Sequence, residues 1–189
     1  GYVYVDKTEL IYQLANTGSY YFLGRPRRFG KSLLISTLEA YFSGQRELFE
    51  GLAIEKQEKD WTKYPILHLD LNTGKYDKKH SLTNVLNDTL HFWENLYGSS
   101  PSEVTPELRF KGIIRRAAEK TGQRVVILVD EYDKPMLQAI GNEELQKAFR
   151  NTLQAFYGAI KTMDGYIKFA FLTGVTKFGK VSVFLSLIH

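Results

Sequence analysis

The sequence predicts an α/β fold of three layers, with helices packed on both faces of a mostly parallel sheet, and three observations carry that prediction. Short apolar segments alternate with amphipathic helical ones along the whole chain, the order that produces parallel strands joined by right-handed helical crossovers. Val125 to Val129 is a continuous apolar, β-branched run, too short for a helix and suited to a strand covered on both faces. Near the N-terminus a short strand, a cationic glycine-containing loop and a helix follow one another between Tyr20 and Gly44. With 189 residues, 43% of them hydrophobic, the chain is long enough to bury the core of one domain, taken as residues 1–189.

The elements follow in order. Asp6-Lys7-Thr8-Glu9 has the spacing of a capping box, and Leu10, Ile11 and Leu14 continue it as a helix to about Asn16. Tyr20-Tyr21-Phe22-Leu23 reads as a short strand of the kind buried in a parallel sheet. From Lys31, the apolar positions Leu34, Leu38, Tyr41 and Phe42 lie on one helical face, which Gly44 ends. Pro65 to Leu71 is a second strand, closed by the turn Asn72-Thr73-Gly74. Leu82, Val85, Leu86, Leu90 and Trp93 mark one helix; Gly98 to Pro101 links it to another, opened by Thr105-Pro106 and carrying Leu108, Ile113, Ile114 and Ala117. After the Val125 strand, a helix through Leu145, Phe149, Leu153, Phe156 and Ile160 leads to a fourth strand at about 167–172, ending in Thr173-Gly174.

Composition excludes several classes. There is no cysteine, so disulfide frameworks, thiolate metal sites and cysteine nucleophiles are absent, which fits a reducing cytoplasm. The four histidines show no metal-ligand spacing and no HExxH occurs, which speaks against a zinc hydrolase. The longest apolar run, five residues, is far short of the roughly 18–20 of a membrane-spanning helix. The chain begins at Gly1 rather than methionine and stops at His189 in a partly apolar stretch, so it reads as the N-terminal part of a longer protein, truncated at its C-terminus. A net charge of +4 names no partner, but Arg25, Arg27, Arg28 and Lys31 concentrate four cations around Pro26, Phe29 and Gly30. Such density calls for an anion.

Gly30-Lys31-Ser32 stands between a strand and a helix, where a phosphate-binding loop belongs. Backbone N–H groups at the helix N-terminus would hold phosphate oxygens, Lys31 would reach the β- and γ-phosphates, and the Ser32 hydroxyl would ligate Mg²⁺. The general pattern GxxxxGK[ST] requires glycine at position 25, where this chain has Arg25, with Gly24 one residue early. A loop whose glycine simply turns the chain is the structural alternative. The second feature is Asp130-Glu131, directly after the best strand and at the carboxyl end where open α/β sheets bind ligands. Asp130 would hold Mg²⁺ directly or through water, and Glu131 would orient and deprotonate an attacking water. Both features at strand ends, in this order, favour nucleoside triphosphate binding.

Tyr4-Val5-Asp6-Lys7-Thr8, Arg25-Pro26-Arg27-Arg28-Phe29-Gly30-Lys31-Ser32, Asp130-Glu131-Tyr132-Asp133-Lys134-Pro135 and Thr173-Gly174-Val175-Thr176-Lys177-Phe178 together resemble the predicted AAA-ATPase-like family of bacterial and archaeal proteins, over almost the whole chain. The resemblance implies a three-layer P-loop NTPase fold of AAA-like type, with the Thr173 strand inserted between the phosphate-loop strand and the Asp130 strand. It also implies that an arginine is normal where other phosphate loops have their first glycine. ATP and Mg²⁺ are the implied cofactors: residues 25–32 bind the nucleotide, Ser32 and Asp130 serve the metal, and Glu131 acts on water. Thr173 is similar to the polar sensor beside the γ-phosphate, although a strand-end threonine before a glycine turn is as common on residue type alone. The closing residues 185–189 depart from the family's continuation.

Many relatives carry a nuclease-like domain of the PD-(D/E)xK type after the ATPase domain, which makes nucleic acid a partner through that domain and a homo-oligomer a further expectation. Other readings stay open on the residues alone. Arg25, Arg27 and Arg28 suit nucleotide phosphates, a nucleic acid backbone or ion pairs with Asp130, Glu131 and Asp133. A non-hydrolysing ATP switch and a small-molecule kinase are further alternatives. Asp133 is expected to cap a helix that Pro135 starts.

Overall fold

A computed structural model describes residues 6–24 and 30–175, and of Lys31 and Ser32 the backbone only. Four strands, β1 (Tyr20–Gly24), β2 (Ile66–Asp70), β3 (Val125–Asp130) and β4 (Ile167–Gly174), form one sheet in the order β1-β4-β3-β2. Every pairing is parallel. All four strands therefore exit at one edge, and β4 lies between β1 and β3 as the family resemblance implies.

Alternation along the strands assigns each side chain to a layer. Val126 and Leu128 face the layer made by α1 (Thr8–Thr17), α2 (Lys31–Phe42) and α3 (Ala53–Gln57), with Ile11, Ile35, Leu38, Phe42 and Ile54. Val125, Ile127 and Val129 face the opposite layer, α4 (Ser81–Tyr97), α5 (Pro106–Thr121) and α7 (Glu143–Thr162), with Leu86, Ile113, Phe156 and Ile160. The short α6 (Lys134–Gln138) follows β3. Complete burial of β3 matches its unbroken apolar composition. Strand β4 departs from strict alternation: Val125 pairs with Ile167 and Val126 with Phe169, leaving Lys168 as an extra residue, the signature of a β-bulge.

Several local expectations are corrected. No capping box starts α1: Lys7 occupies the N-cap position, and Asp6 Oδ1 accepts from the Thr8 N–H and hydroxyl at 3.0 and 2.6 Å. Asp6 Oδ2 accepts from Ala53 N–H and Thr8 Oγ1 from Ile54 N–H, at 2.8 and 3.1 Å, so these side chains serve the N-terminus of α3, 46 or 47 residues away. Strand β1 is half-buried throughout rather than buried, because among the described residues it pairs with β4 alone. Asp133 does precede α6, but its side chain makes no cap bond; it accepts from Val175 N–H at 3.1 Å. The Thr105 start of α5, with Pro106 in the first turn, is as expected, and Gly122, at φ 71°, ends the helix.

Candidate functional site at the carboxyl edge of the sheet

Parallel pairing brings the ends of β1, β4, β3 and β2 to one edge, where Gly24 is level with Gly174, Leu23 with Thr173 and Asp70 with Asp130. Gly30 takes a left-handed conformation, φ 74°, and opens α2; glycine adopts that geometry without the steric cost a Cβ would add. The first-turn N–H groups of α2 therefore begin at the same edge as the acidic pair, with the positive end of the helix dipole. Arg25, Pro26, Arg27, Arg28 and Phe29 lie outside the described residues, as do the side chains of Lys31 and Ser32.

Asp130, Glu131 and Thr173 are brought together. The Thr173 hydroxyl, fully buried, donates to Asp130 Oδ1 at 2.8 Å and accepts from Glu131 N–H at 3.3 Å. Its carbonyl accepts from Tyr132 N–H at 2.8 Å. One threonine thus joins the carboxylate at the end of β3 to the backbone of the glutamate that follows. Asp130 is 8% exposed, and its Oδ2 has no hydrogen-bond partner among the described residues. A hard carboxylate oxygen left open at a strand end suits Mg²⁺, which takes one or two protein carboxylates and completes its shell with water and phosphate oxygens. No cluster of three or more metal-ligating side chains occurs among the described residues.

Glu131 is buried and has φ 56°, a left-handed backbone that non-glycine residues rarely adopt and that surrounding structure must enforce. Here the enforcement is visible. Besides the Thr173 contacts, the Tyr157 hydroxyl on α7 donates to the Tyr132 carbonyl at 3.1 Å. Burial, followed by the neighbouring Tyr132 and Asp133, pushes the Tyr157 phenol well above its ordinary pKa, so it remains a donor. Gly174 completes the clamp: a Cβ there would stand 2.4 Å from the Tyr132 ring and 2.8 Å from Asp133 Oδ1. Lys134 reaches across to β2's exit, donating to the Asn72 carbonyl and, at 3.0 Å, to Asn72 Oδ1.

Sequence reasoning missed Tyr157 and left Lys134 without a role. Tyr157 sits on the apolar face of α7, where its ring reads only as core. For Lys134 the signal was its place beside an acidic pair; its partner, 62 residues earlier, has no trace in local pattern.

Among the described residues, an all-parallel sheet with β4 between β1 and β3, a glycine-opened helix and an acidic pair at its carboxyl edge define the class: a P-loop-like α/β domain. More particularly, the chain belongs to the predicted AAA-ATPase family, whose model matches residues 1–184, a membership that supports nucleotide binding. It is also 40% identical, over 187 residues, to a protein of Azotobacter chroococcum mcd 1 described as an uncharacterized protein in the vnfD 5' region. That match covers 98% of this chain and 36% of the relative, so the chain spans about a third of the length of the curated relative it matches. Among the described residues no helix is long and apolar enough to cross a membrane.

Proposed function

We propose that this chain binds ATP with Mg²⁺ and hydrolyses it, working as a switch or motor for a partner domain. The observation that supports this most directly is the Thr173 hydroxyl, shared between the Asp130 carboxylate and the Glu131 backbone at the edge where α2 begins. Lys31, first residue of α2, is assigned to the β- and γ-phosphates, with Arg25, Arg27 and Arg28 beside it. Ser32 and Asp130 are assigned to the metal, which when bound would neutralise phosphate charge. Glu131, held in one backbone conformation, accepts a proton from water. The domain reading, residues 1–189 as the N-terminal ATPase part of a longer protein, belongs to the same proposal. Its target is then an attached nuclease-like domain or another copy of the chain, in the cytoplasm.

Calorimetric titration with a non-hydrolysable ATP analogue, with and without Mg²⁺, tests this reading. Lys31→Ala should weaken binding, because it removes the one flexible point charge aimed at the terminal phosphates. Asp130→Ala should remove the part of the affinity that depends on Mg²⁺. An unchanged dissociation constant in Lys31→Ala would sink the phosphate-loop assignment.

A further inference from the structure

The loop that follows β3 carries Glu131, and it is tied to the strand exits on both sides. On the β4 side, Tyr132 N–H donates to the Thr173 carbonyl at 2.8 Å and Asp133 accepts from Val175 N–H at 3.1 Å. On the β2 side the side-chain tie is Lys134, whose ammonium donates to the Asn72 carbonyl and, at 3.0 Å, to Asn72 Oδ1. Asn72 is itself anchored: its N–H donates to Asp70 Oδ1 at 2.8 Å, and the preceding Leu71 N–H donates to the Asp130 carbonyl at 3.0 Å. The other end of the tie is equally fixed. Lys134 N–H donates to the Glu131 carbonyl at 3.1 Å, closing a four-residue turn, and buried Pro135 opens α6 next to it, its ring holding φ near the helical value. A displacement of Lys134 is therefore a displacement of Glu131.

The residue type suits this task. An ammonium has three donors and no acceptor, enough to serve two oxygens of one residue, and a charged donor strengthens each bond. Among the described residues Lys134 forms no ion pair, so its donors go to neutral oxygens of a residue 62 positions away. What needs holding is the left-handed backbone of Glu131 at φ 56°, a conformation that persists only where its surroundings over-determine it. With the β4-side bonds alone, the loop is gripped on one flank. We propose that Lys134 is a positioning residue: through Asn72 it fixes the Glu131 turn from the β2 side, so that the carboxylate meets water at one place, although Lys134 itself touches no nucleotide. This rests on the reading of the same edge as an ATP site, in which a displacement of about 1 Å costs up to about 10²-fold in rate.

Lys134→Met in the full chain keeps the stem and removes the donors, and it strands no buried charge, since the oxygens it releases are exposed and neutral. Two measurements separate the tie from the nucleotide reading. Amide hydrogen exchange needs no ATP: Glu131 and Tyr132, both bonded to Thr173, should exchange at least about tenfold faster, with Val126 to Leu128 in mid-strand unchanged. Steady-state turnover should fall about 10–10²-fold, while KM and the dissociation constant of a non-hydrolysable ATP analogue stay at the parent values. Lys134→Arg should restore both, and Asn72→Ala, which removes one acceptor, should act in the same direction and add little on top of Lys134→Met. Parent exchange in Lys134→Met would overturn the tie. Faster exchange with parent turnover would reduce Lys134 to a structural staple, and weaker analogue binding would make it a phosphate contact; either overturns the positioning role. A parent chain that binds no analogue would sink the nucleotide reading instead, and the exchange result alone then decides whether Lys134 holds the turn.

Discussion

Two largely buried carboxylates, Glu103 beside α5 and Asp130 at the end of β3, are treated in opposite ways. Glu103, with its side chain 8% exposed, takes a bidentate grip from Arg116 at 2.7 and 2.9 Å. Arg116 also donates to the carbonyls of Tyr97 and Gly98 at the end of α4, and Gly112 leaves the space that Glu103 fills, since a Cβ would stand 1.9 Å from its Oε2. Asp130 has no cation among the described residues and receives a neutral hydroxyl on one oxygen. A guanidinium cancels the charge of its carboxylate and fixes two helices together. A neutral hydroxyl orients the carboxylate without cancelling its charge. Burial of an acid thus does not set its electrostatics by itself; the identity of its partner does.

The sharpest way to break this contrast lies beside Asp130. Glu131→Gln should slow ATP turnover by about 10²–10⁴-fold while retaining ATP binding, because the amide still orients water but cannot take its proton; steady-state turnover alongside calorimetry reads both. Parent-rate turnover in that variant would reduce the acidic pair to an ordinary strand-end loop.

On the structural side, Arg116→Met should cost about 2–4 kcal/mol in denaturant unfolding, since it strands a buried carboxylate and two helix-end carbonyls. ATP affinity should be unchanged. The same pair has a pH signature. Hydrogen bonding from Arg116 holds the Glu103 carboxyl below its ordinary value of 4.5. A lowered folded-state pKa means that the stabilisation is fully present above about pH 4.5 and is lost as the pH falls through the lowered value. The stability gap between parent and Arg116→Met should narrow on that acid side, and a gap independent of pH would show that packing of the arginine stem, not charge, carries the effect.

The smallest effect is expected at Thr173, the partner of Asp130. Thr173→Val removes a donor to Asp130 and leaves the Glu131 N–H without its acceptor, which should cost about 1–3 kcal/mol of stability and lower turnover. Thr173→Ser should restore both. If valine were tolerated in melting and in turnover alike, the hydroxyl would be an incidental contact.

Strands and long helices were legible because burial on one or both faces leaves a period in the residues: β3 as an unbroken apolar run, α7 as Leu145, Phe149, Leu153, Phe156 and Ile160. The segment 46–57 was not, because its 3₁₀ turn and α3 are too short to carry a period, and α3 is started by Asp6 and Thr8 from far along the chain. The place of β4 in the sheet came from the family resemblance; nothing in its composition names a neighbour. At the candidate site, Asp130 and Glu131 were legible as residue types at a strand end, whereas Thr173 came from the family resemblance. The left-handed turn at Glu131, the Tyr157 hydroxyl and the acceptance of Val175 N–H by Asp133 arise from contacts across 25 to 42 residues, and local pattern is silent on those.

The insertion of β4 between β1 and β3 also orders events during synthesis. Of the described strands β1 is made first, but its ladder partner among them is β4, whose last residue lies 150 positions after Gly24. At roughly 5–20 residues per second on the ribosome, β1 waits about 7–30 s for the strand it pairs with, while β2, α4, α5 and β3 can already pack. Among the described strands, β1 thus completes its ladder only once β4 has been made. Such distant pairing slows folding, and chaperones would meet this protein with its first strand still unpaired.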